Sequence, residues 1–186
     1  MALATSGDEI YVWGFQVEAG SYPTCFIPNA DNSEVTRTAD TCTGGGVSNT
    51  FSDTEGTVFI DVKPFTHLAD PRISLSDGGS NKITFSFVNS TQVRMLVFNG
   101  SLQAEKFQDI TYNSRIKLAV TYKNNEFKFA FNGSVVSTDT SGSVPTGFDR
   151  FNFTNSTGSQ NFQGEVYQTM VFNTALTDAE LQTLTS

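Results

Sequence analysis

The chain has 186 residues, a formal net charge of −8 at pH 7, and 17 Phe against a single Trp. That acidity disfavours a nucleic-acid or anionic-membrane surface, because either would be repelled and the basic residues are scattered without a run. The length allows one sizeable core plus an extra segment, and no apolar run approaches the ~20 residues of a membrane helix.

Residues 10–17 (IYVWGFQV) read as a strand, with Gly14 marking a bulge or a close backbone approach. Pro23 and Pro28 bracket an extended run, residues 29–33 form a polar turn, and residues 43–46 (TGGG) are a flexible connection. Residues 57–65 alternate Val58, Ile60 and Val62 with polar or aromatic neighbours, which predicts a strand with Pro64 marking its end or an edge position. Residues 72–75 and 82–88 flank Asp77–Gly–Gly–Ser–Asn81, a hairpin pattern. Residues 92–98 and 102–107 are joined by Asn99–Gly100, another turn pair.

The clearest stretch is 115–138. Ile116, Leu118, Val120 and Tyr122 alternate with polar or small residues; Phe127, Phe129 and Phe131 do the same after Asn124–Asn125; Asn132–Gly133 then turns the chain again. Period-two alternation gives a three-stranded meander with one aromatic face, which only a second sheet can bury. A Gly/Ser/Pro loop over 140–147 leads to a short strand at 150–153 and a longer one at 162–172. Thr177 followed by Glu180 is a capping box opening a short helix with Leu181 and Leu184 on one side. Some ten short strands with turn signals between them predict an all-β, two-sheet antiparallel sandwich with a short C-terminal helix.

Four segments carry a resemblance: residues 118–122 (LAVTY), 127–133 (FKFAFNG), 164–173 (GEVYQTMVFN) and 175–181 (ALTDAEL). Together they resemble a concanavalin A-like, laminin-G-like jelly roll, covering residues 35–186, with residues 1–34 as an N-terminal strand and connector. Residues 11–20 (YVWGFQVEAG), 22–28 (YPTCFIP) and 35–40 (VTRTAD) resemble a connector found in bacteriophage virion proteins. That narrower resemblance implies a non-enzymatic tail-fibre, head-fibre or other virion surface component, assembled in the host cytoplasm. Its implied partners are other virion subunits, with a homotrimer favoured, and a host-surface glycan. It also implies a preceding domain, absent here or on another polypeptide. A stand-alone carbohydrate-binding module of a polysaccharide-degrading system is the alternative, and a hydrolase the third reading.

Glucanases of this fold work with two carboxylates facing one cleft, one of them an acid of raised pKa. Here Asp61 and Glu165 are lone strand carboxylates, and Asp178 and Glu180 belong to the helix start, so no catalytic pair is assigned. His67 has no nucleophile placed beside it and is expected at the surface. Calcium needs six to eight oxygen ligands; Asp77, Asn81, Asp139 and Asp149 are loop oxygens whose spacing specifies no site, so neither metal nor cofactor is assigned. Cys25 and Cys42 are either a disulfide or, with no secretion signal visible at the N-terminus, two free thiols, the expected state. Asn89, Asn99, Asn132, Asn152 and Asn155 match Asn-x-Ser/Thr, a pattern that an Asn- and Thr-rich chain generates by chance. Trp13, Tyr22 and Tyr112 are sugar-stacking candidates if exposed, with packing as the expectation; Arg37 and Asp40 are expected to form an ion pair.

Overall fold

The structure is a computed structural model that describes residues 16, 17, 26, 28, 45, 46 and 50–186. Trp13, Tyr22, Cys25, Arg37, Asp40 and Cys42 lie outside the described residues, as do most of the expected first strand and the connector. The chain divides into two compact units, Met1–Asp40 and Thr41–Ser186, and the second carries every element described below.

Among the described residues ten strands and one helix follow in order: β1 (Glu55–Pro64), β2 (Arg72–Ser76), β3 (Asn81–Asn89), β4 (Gln92–Asn99), β5 (Ser101–Asp109), β6 (Ile116–Lys123), β7 (Glu126–Phe131), β8 (Ser134–Asp139), β9 (Arg150–Asn152), β10 (Gly164–Phe172) and α1 (Asp178–Thr185). They form two antiparallel five-stranded sheets, ordered β10-β1-β6-β7-β8 and β5-β4-β3-β2-β9. The expected two-sheet sandwich with a terminal helix is therefore the observed architecture. The meander at 115–138 is β6-β7-β8, and its turns use left-handed Asn125 (φ 56°), Asn132 (φ 41°) and Gly133 (φ 82°).

Alternation decides what lies between the sheets. Val58, Ile60 and Val62 of one sheet join Leu118, Val120, Tyr122, Phe127 and Phe129 on its inner face. From the other sheet come Ile73, Leu75, Ile83, Phe85, Phe87, Val93, Met95 and Val97. Burying each such side chain stabilises the fold by about 1.5–3 kcal/mol, so this aromatic layer dominates the energetics. Gly56 has no side chain because a Cβ there would collide with the Tyr122 phenol and the Phe172 carbonyl.

The first sheet is also covered on its outside. Phe59, Ala119 and Ala130 face outward from β1, β6 and β7 and pack under Leu181 of α1, with Met170, Leu176 and Leu184 around them. The two alanines let the helix approach closely. The capping box forms as expected: Thr177 Oγ1 accepts from Glu180 N at 3.4 Å, and Thr177 N donates to Glu180 Oε2 at 2.8 Å. Lys128 Nζ reaches Asp178 Oδ1 at 2.6 Å and ties the first turn to β7.

Two expectations are corrected in detail. The alternation read across 162–172 is interrupted: Asp61 pairs with Gln168 but Val62 pairs with Val166, so Tyr167 is an extra residue in a bulge. His67, expected at the surface, is half-buried with its ring 5.7 Å from that of Tyr112.

Tyr122 supplies a pH signature. Its hydroxyl donates to the Ser52 carbonyl at 3.0 Å and its ring meets Phe148 edge-on. Burial, with Asp53 adding to it, raises its pKa, and burial with Asp70 beside it pushes Tyr112 up to about 12. Unfolded phenols ionise near pH 10. The folded protein therefore holds both protons more tightly, and the stability they carry is complete below about pH 10 and lost as pH rises through the folded values. Thermal unfolding is expected to give a steady melting temperature from pH 7 to about 10 and a fall above it, with a shallower fall in Tyr122→Phe.

Candidate functional site

The outer face of β5-β4-β3-β2-β9 differs in chemistry from the helix-covered face of the other sheet. Strand register lines its side chains up in three cross-strand rows. One runs Arg72, Ser86, Arg94, Phe107; the next Asn152, Ser74, Thr84, Leu96, Glu105; the third Arg150, Ser76, Lys82, Phe98, Leu102. Small hydroxyl residues occupy the middle, cations stand along the rows, and phenyl rings lie on the β4–β5 side.

The middle is closed to solvent. Ser74 Oγ donates to the Thr154 carbonyl at 2.8 Å, from the loop that follows β9. Thr84 Oγ1 and Ser86 Oγ are buried and have no hydrogen-bond partner among the described residues. The β4–β5 side is open. β5 inverts the usual pattern of an edge strand: Lys106 and Gln108 pair opposite the core-facing Met95 and Val93, whereas Leu102 (44% exposed) and Phe107 (45%) face outward.

Arg94 organises this open side. Its Nε donates to Glu105 Oε2 at 2.7 Å, its Nη2 lies 2.6 Å from the same oxygen, and its guanidinium lies 5.5 Å from the Phe107 ring centroid. Lys82 Nζ stands 5.2 Å from the Phe98 centroid. The exposed Phe107 ring and the half-buried Phe98 ring, beside fixed donors and a carboxylate, can hold a ligand with both apolar C–H faces and hydroxyls, or an anionic group on the cations.

The two strand carboxylates singled out from the sequence lie on the other sheet. Asp61, with its side chain 2% exposed, accepts from Arg115 Nε at 2.8 Å and Nη2 at 2.6 Å. Arg115 in turn stacks 4.2 Å from the Tyr167 ring centroid. Glu165 accepts from Tyr167 Oη and from Lys63 Nζ at 2.9 Å, and these bonds lower its pKa, the phenol contributing most. An acid of raised pKa, which glycoside hydrolysis requires, is the opposite of this Glu165. Asp178 and Glu180 serve the helix start as expected.

The loop oxygens are not brought together. Asp77 Oδ1 accepts from Gly79 N and Asn81 N within its own turn, Asp139 Oδ1 accepts from Ser141, and Asp149 pairs with Arg150. Asn81 Nδ2 donates to the Thr146 carbonyl. Among the described residues no group of three or more His, Cys, Asp or Glu could hold a metal ion. The Asn-x-Ser/Thr asparagines have structural work: Asn89 accepts from Thr91 N, Asn99 donates to Ser143 and Val144, Asn132 accepts from Lys117 N, and Asn155 accepts from Thr157 N and Ser159 N. Asn152 is buried. Tyr112 packs against Phe87 and His67 with its hydroxyl buried, which is the expected packing role.

Arg94, Glu105, Phe107, Arg115 and Tyr167 were not singled out from the sequence. Phe107, on the opposite phase of its strand from Ala104, was the available signal; Leu102 shares the phase of Ala104 in the sequence and is turned outward only by the register shift between β4 and β5.

This sandwich defines a class. The chain belongs to the concanavalin A-like lectin/glucanases superfamily, whose family model matches residues 38–182. No curated protein matches it. Among solved structures, the Ruminococcus gnavus IT-sialidase CBM40 bound to α2,3-sialyllactose is similar at a TM-score of 0.60 and 17% identity, over 77% of this chain and 94% of that one. The leech intramolecular trans-sialidase is similar at 0.58 and 16%, over 79% of this chain and 26% of that one. A native heptameric SAP-like pentraxin from Limulus polyphemus is similar at 0.56 and 14%, over 77% and 74%. At such identities the likeness is one of fold. Residues 11–40, which carry the expected virion context, lie outside the described residues except for 16, 17, 26 and 28, and that context finds no counterpart among these structures.

The Asp61–Arg115 pair yields a stability test. A carboxylate taken out of water is costly unless its cation stays. Arg115→Ala is expected to lower the denaturation midpoint more than the double substitution Asp61→Ala/Arg115→Ala, because only the single variant strands a buried charge. Urea unfolding of the two variants and the parent chain measures this directly.

Proposed function

We propose that this chain is a non-catalytic carbohydrate-binding module whose ligand docks on the open side of β5-β4-β3-β2-β9. The observation that carries the reading is the exposed Phe107 ring beside the half-buried Arg94–Glu105 pair, with Phe98 and Lys82 next to them. Phenyl faces suit the C–H face of a pyranose, and guanidinium, ammonium and carboxylate suit its hydroxyls. Four cations stand in the three rows, Arg72, Lys82, Arg94 and Arg150; three of them are ion-paired, with Asp70, Glu105 and Asp149, and Lys82 lies over the Phe98 ring.

Among the described residues Lys82 is the cation of this face with no carboxylate partner, and it is the group that would favour an acidic glycan despite the net charge of −8. Charges farther than about 8–10 Å are largely screened at physiological salt, so the groups on the face decide. The R. gnavus module, similar in fold, is bound to α2,3-sialyllactose in its structure, which makes that trisaccharide a suitable probe here. Support for a non-catalytic role comes from Asp61 and Glu165, each held by a cation, Arg115 and Lys63 respectively.

Isothermal titration with α2,3-sialyllactose and with lactose tests the reading. Binding of the sialylated sugar is expected to be the tighter, and Arg94→Ala or Phe107→Ala to weaken it by about tenfold or more, the loss of one charged or stacked contact of about 1.4 kcal/mol. Unchanged affinity in both variants would remove this face as the site.

A further inference from the structure

β10 is the edge strand of its sheet, and its bulge leaves Tyr167 as the one residue without a partner on β1. Bulges bend a strand and re-aim a side chain, and they gather next to binding sites. Here the re-aimed side chain is an aromatic ring that is 46% exposed, with Val166 beside it at 42%.

An exposed tyrosine ordinarily moves among rotamers. This one is fixed from two directions. Its hydroxyl donates to Glu165 Oε2, while Glu165 Oε1 is held by Lys63 Nζ at 2.9 Å. Its ring is packed by the Arg115 guanidinium at 4.2 Å, and Arg115 is itself clamped on the buried Asp61. The chain thus commits a buried carboxylate to holding a guanidinium that holds an exposed ring. Ordering a side chain at the moment of binding costs about 0.5–1.5 kcal/mol, and this arrangement meets that cost beforehand.

The groups around the ring indicate the ligand. Arg115 grips Asp61 through Nε and Nη2, which leaves Nη1 outside the pair. Lys63 and Glu165 stand on the adjacent cross-strand pair. A flat apolar plate rimmed by donors and a carboxylate matches a pyranose, whose C–H face stacks and whose hydroxyls meet the rim. A flat aromatic ligand would leave the rim idle. A strand adding itself along β10 would meet the bulge and the exposed charge of Glu165, two features that blunt sheet edges.

We infer that Tyr167, rimmed by Lys63, Arg115 and Glu165, is a second saccharide-stacking subsite, on the sheet opposite the Arg94–Glu105–Phe107 group. This rests on the reading of the chain as a carbohydrate-binding module. Because the two subsites lie on different sheets of the sandwich, they take separate glycan chains, and a surface dense in glycans is bound with avidity beyond either site alone.

The test uses lactose and α2,3-sialyllactose as probes, with backbone amide shifts of residues 115 and 165–168 as the local readout. In the parent chain at saturating probe, these amides shift. An Arg94→Ala/Phe107→Ala double variant still shifts them, Tyr167→Phe keeps the binding within a few-fold, and adding Tyr167→Ala to the double variant weakens the remaining affinity by about tenfold. Silence of these amides with both probes overturns the subsite whatever the variants do, as does residual binding that Tyr167→Ala leaves unchanged. If the double variant binds as the parent does and Tyr167→Ala abolishes binding, this subsite stands and the Arg94 face falls. If the double variant abolishes binding and these amides never move, the Arg94 face stands and this subsite falls.

Discussion

The sandwich depends on β1 being buried on both of its faces. From Gly56 to Val62 every residue of this strand is out of solvent. Val58, Ile60 and Val62 enter the layer between the sheets, and Phe59 lies under α1. The strand is paired by β6 on one side and β10 on the other. Its two flanking partners and its lid thus come from the middle and the end of the chain. A strand in that position has no room for an unpaired polar group, so Asp61, the one carboxylate on its sealed stretch, needs Arg115. The ion pair follows from the packing, and the stacking of Arg115 on Tyr167 follows from the ion pair.

How much of this was legible in the sequence depended on distance along the chain. The hairpins were readable because their signals are local: Asn132–Gly133 and Asp77–Asn81 declare their turns, and alternation declares the strands between them. The capped helix was readable for the same reason. The two-sheet topology was reached through the need to bury an aromatic face. The partners of β1 were not readable, because Lys63 and Glu165 lie 102 residues apart and Asp61 and Arg115 lie 54 apart. Asp61 and Glu165 therefore stood out as carboxylates while what neutralises them stayed hidden. The bulge at Tyr167 escaped because alternation across 162–172 is nearly regular in sequence, and only the register with β1 exposes the extra residue.

The two outer faces divide the labour of the domain. One is closed over its centre by α1 on a patch of small residues, and its charged margin around β10 remains open. The other keeps small hydroxyl residues in the middle and turns Arg94, Phe107 and Leu102 outward on its β5 side. An edge strand that points its phenyl ring at water and its lysine at the core side gives up burial for exposure. Phe107 would contribute about 1.5–3 kcal/mol if it were buried, and a chain that leaves it outside beside a fixed guanidinium has built a surface that another molecule can use.

The most direct measurement is an amide-shift titration of the labelled chain with α2,3-sialyllactose. The account predicts shifts that cluster on Arg94, Leu96, Phe98, Glu105 and Phe107, across neighbouring rows of one sheet face. Saturable shifts that leave those five residues unmoved would contradict it, as would their indifference to the sugar at any concentration.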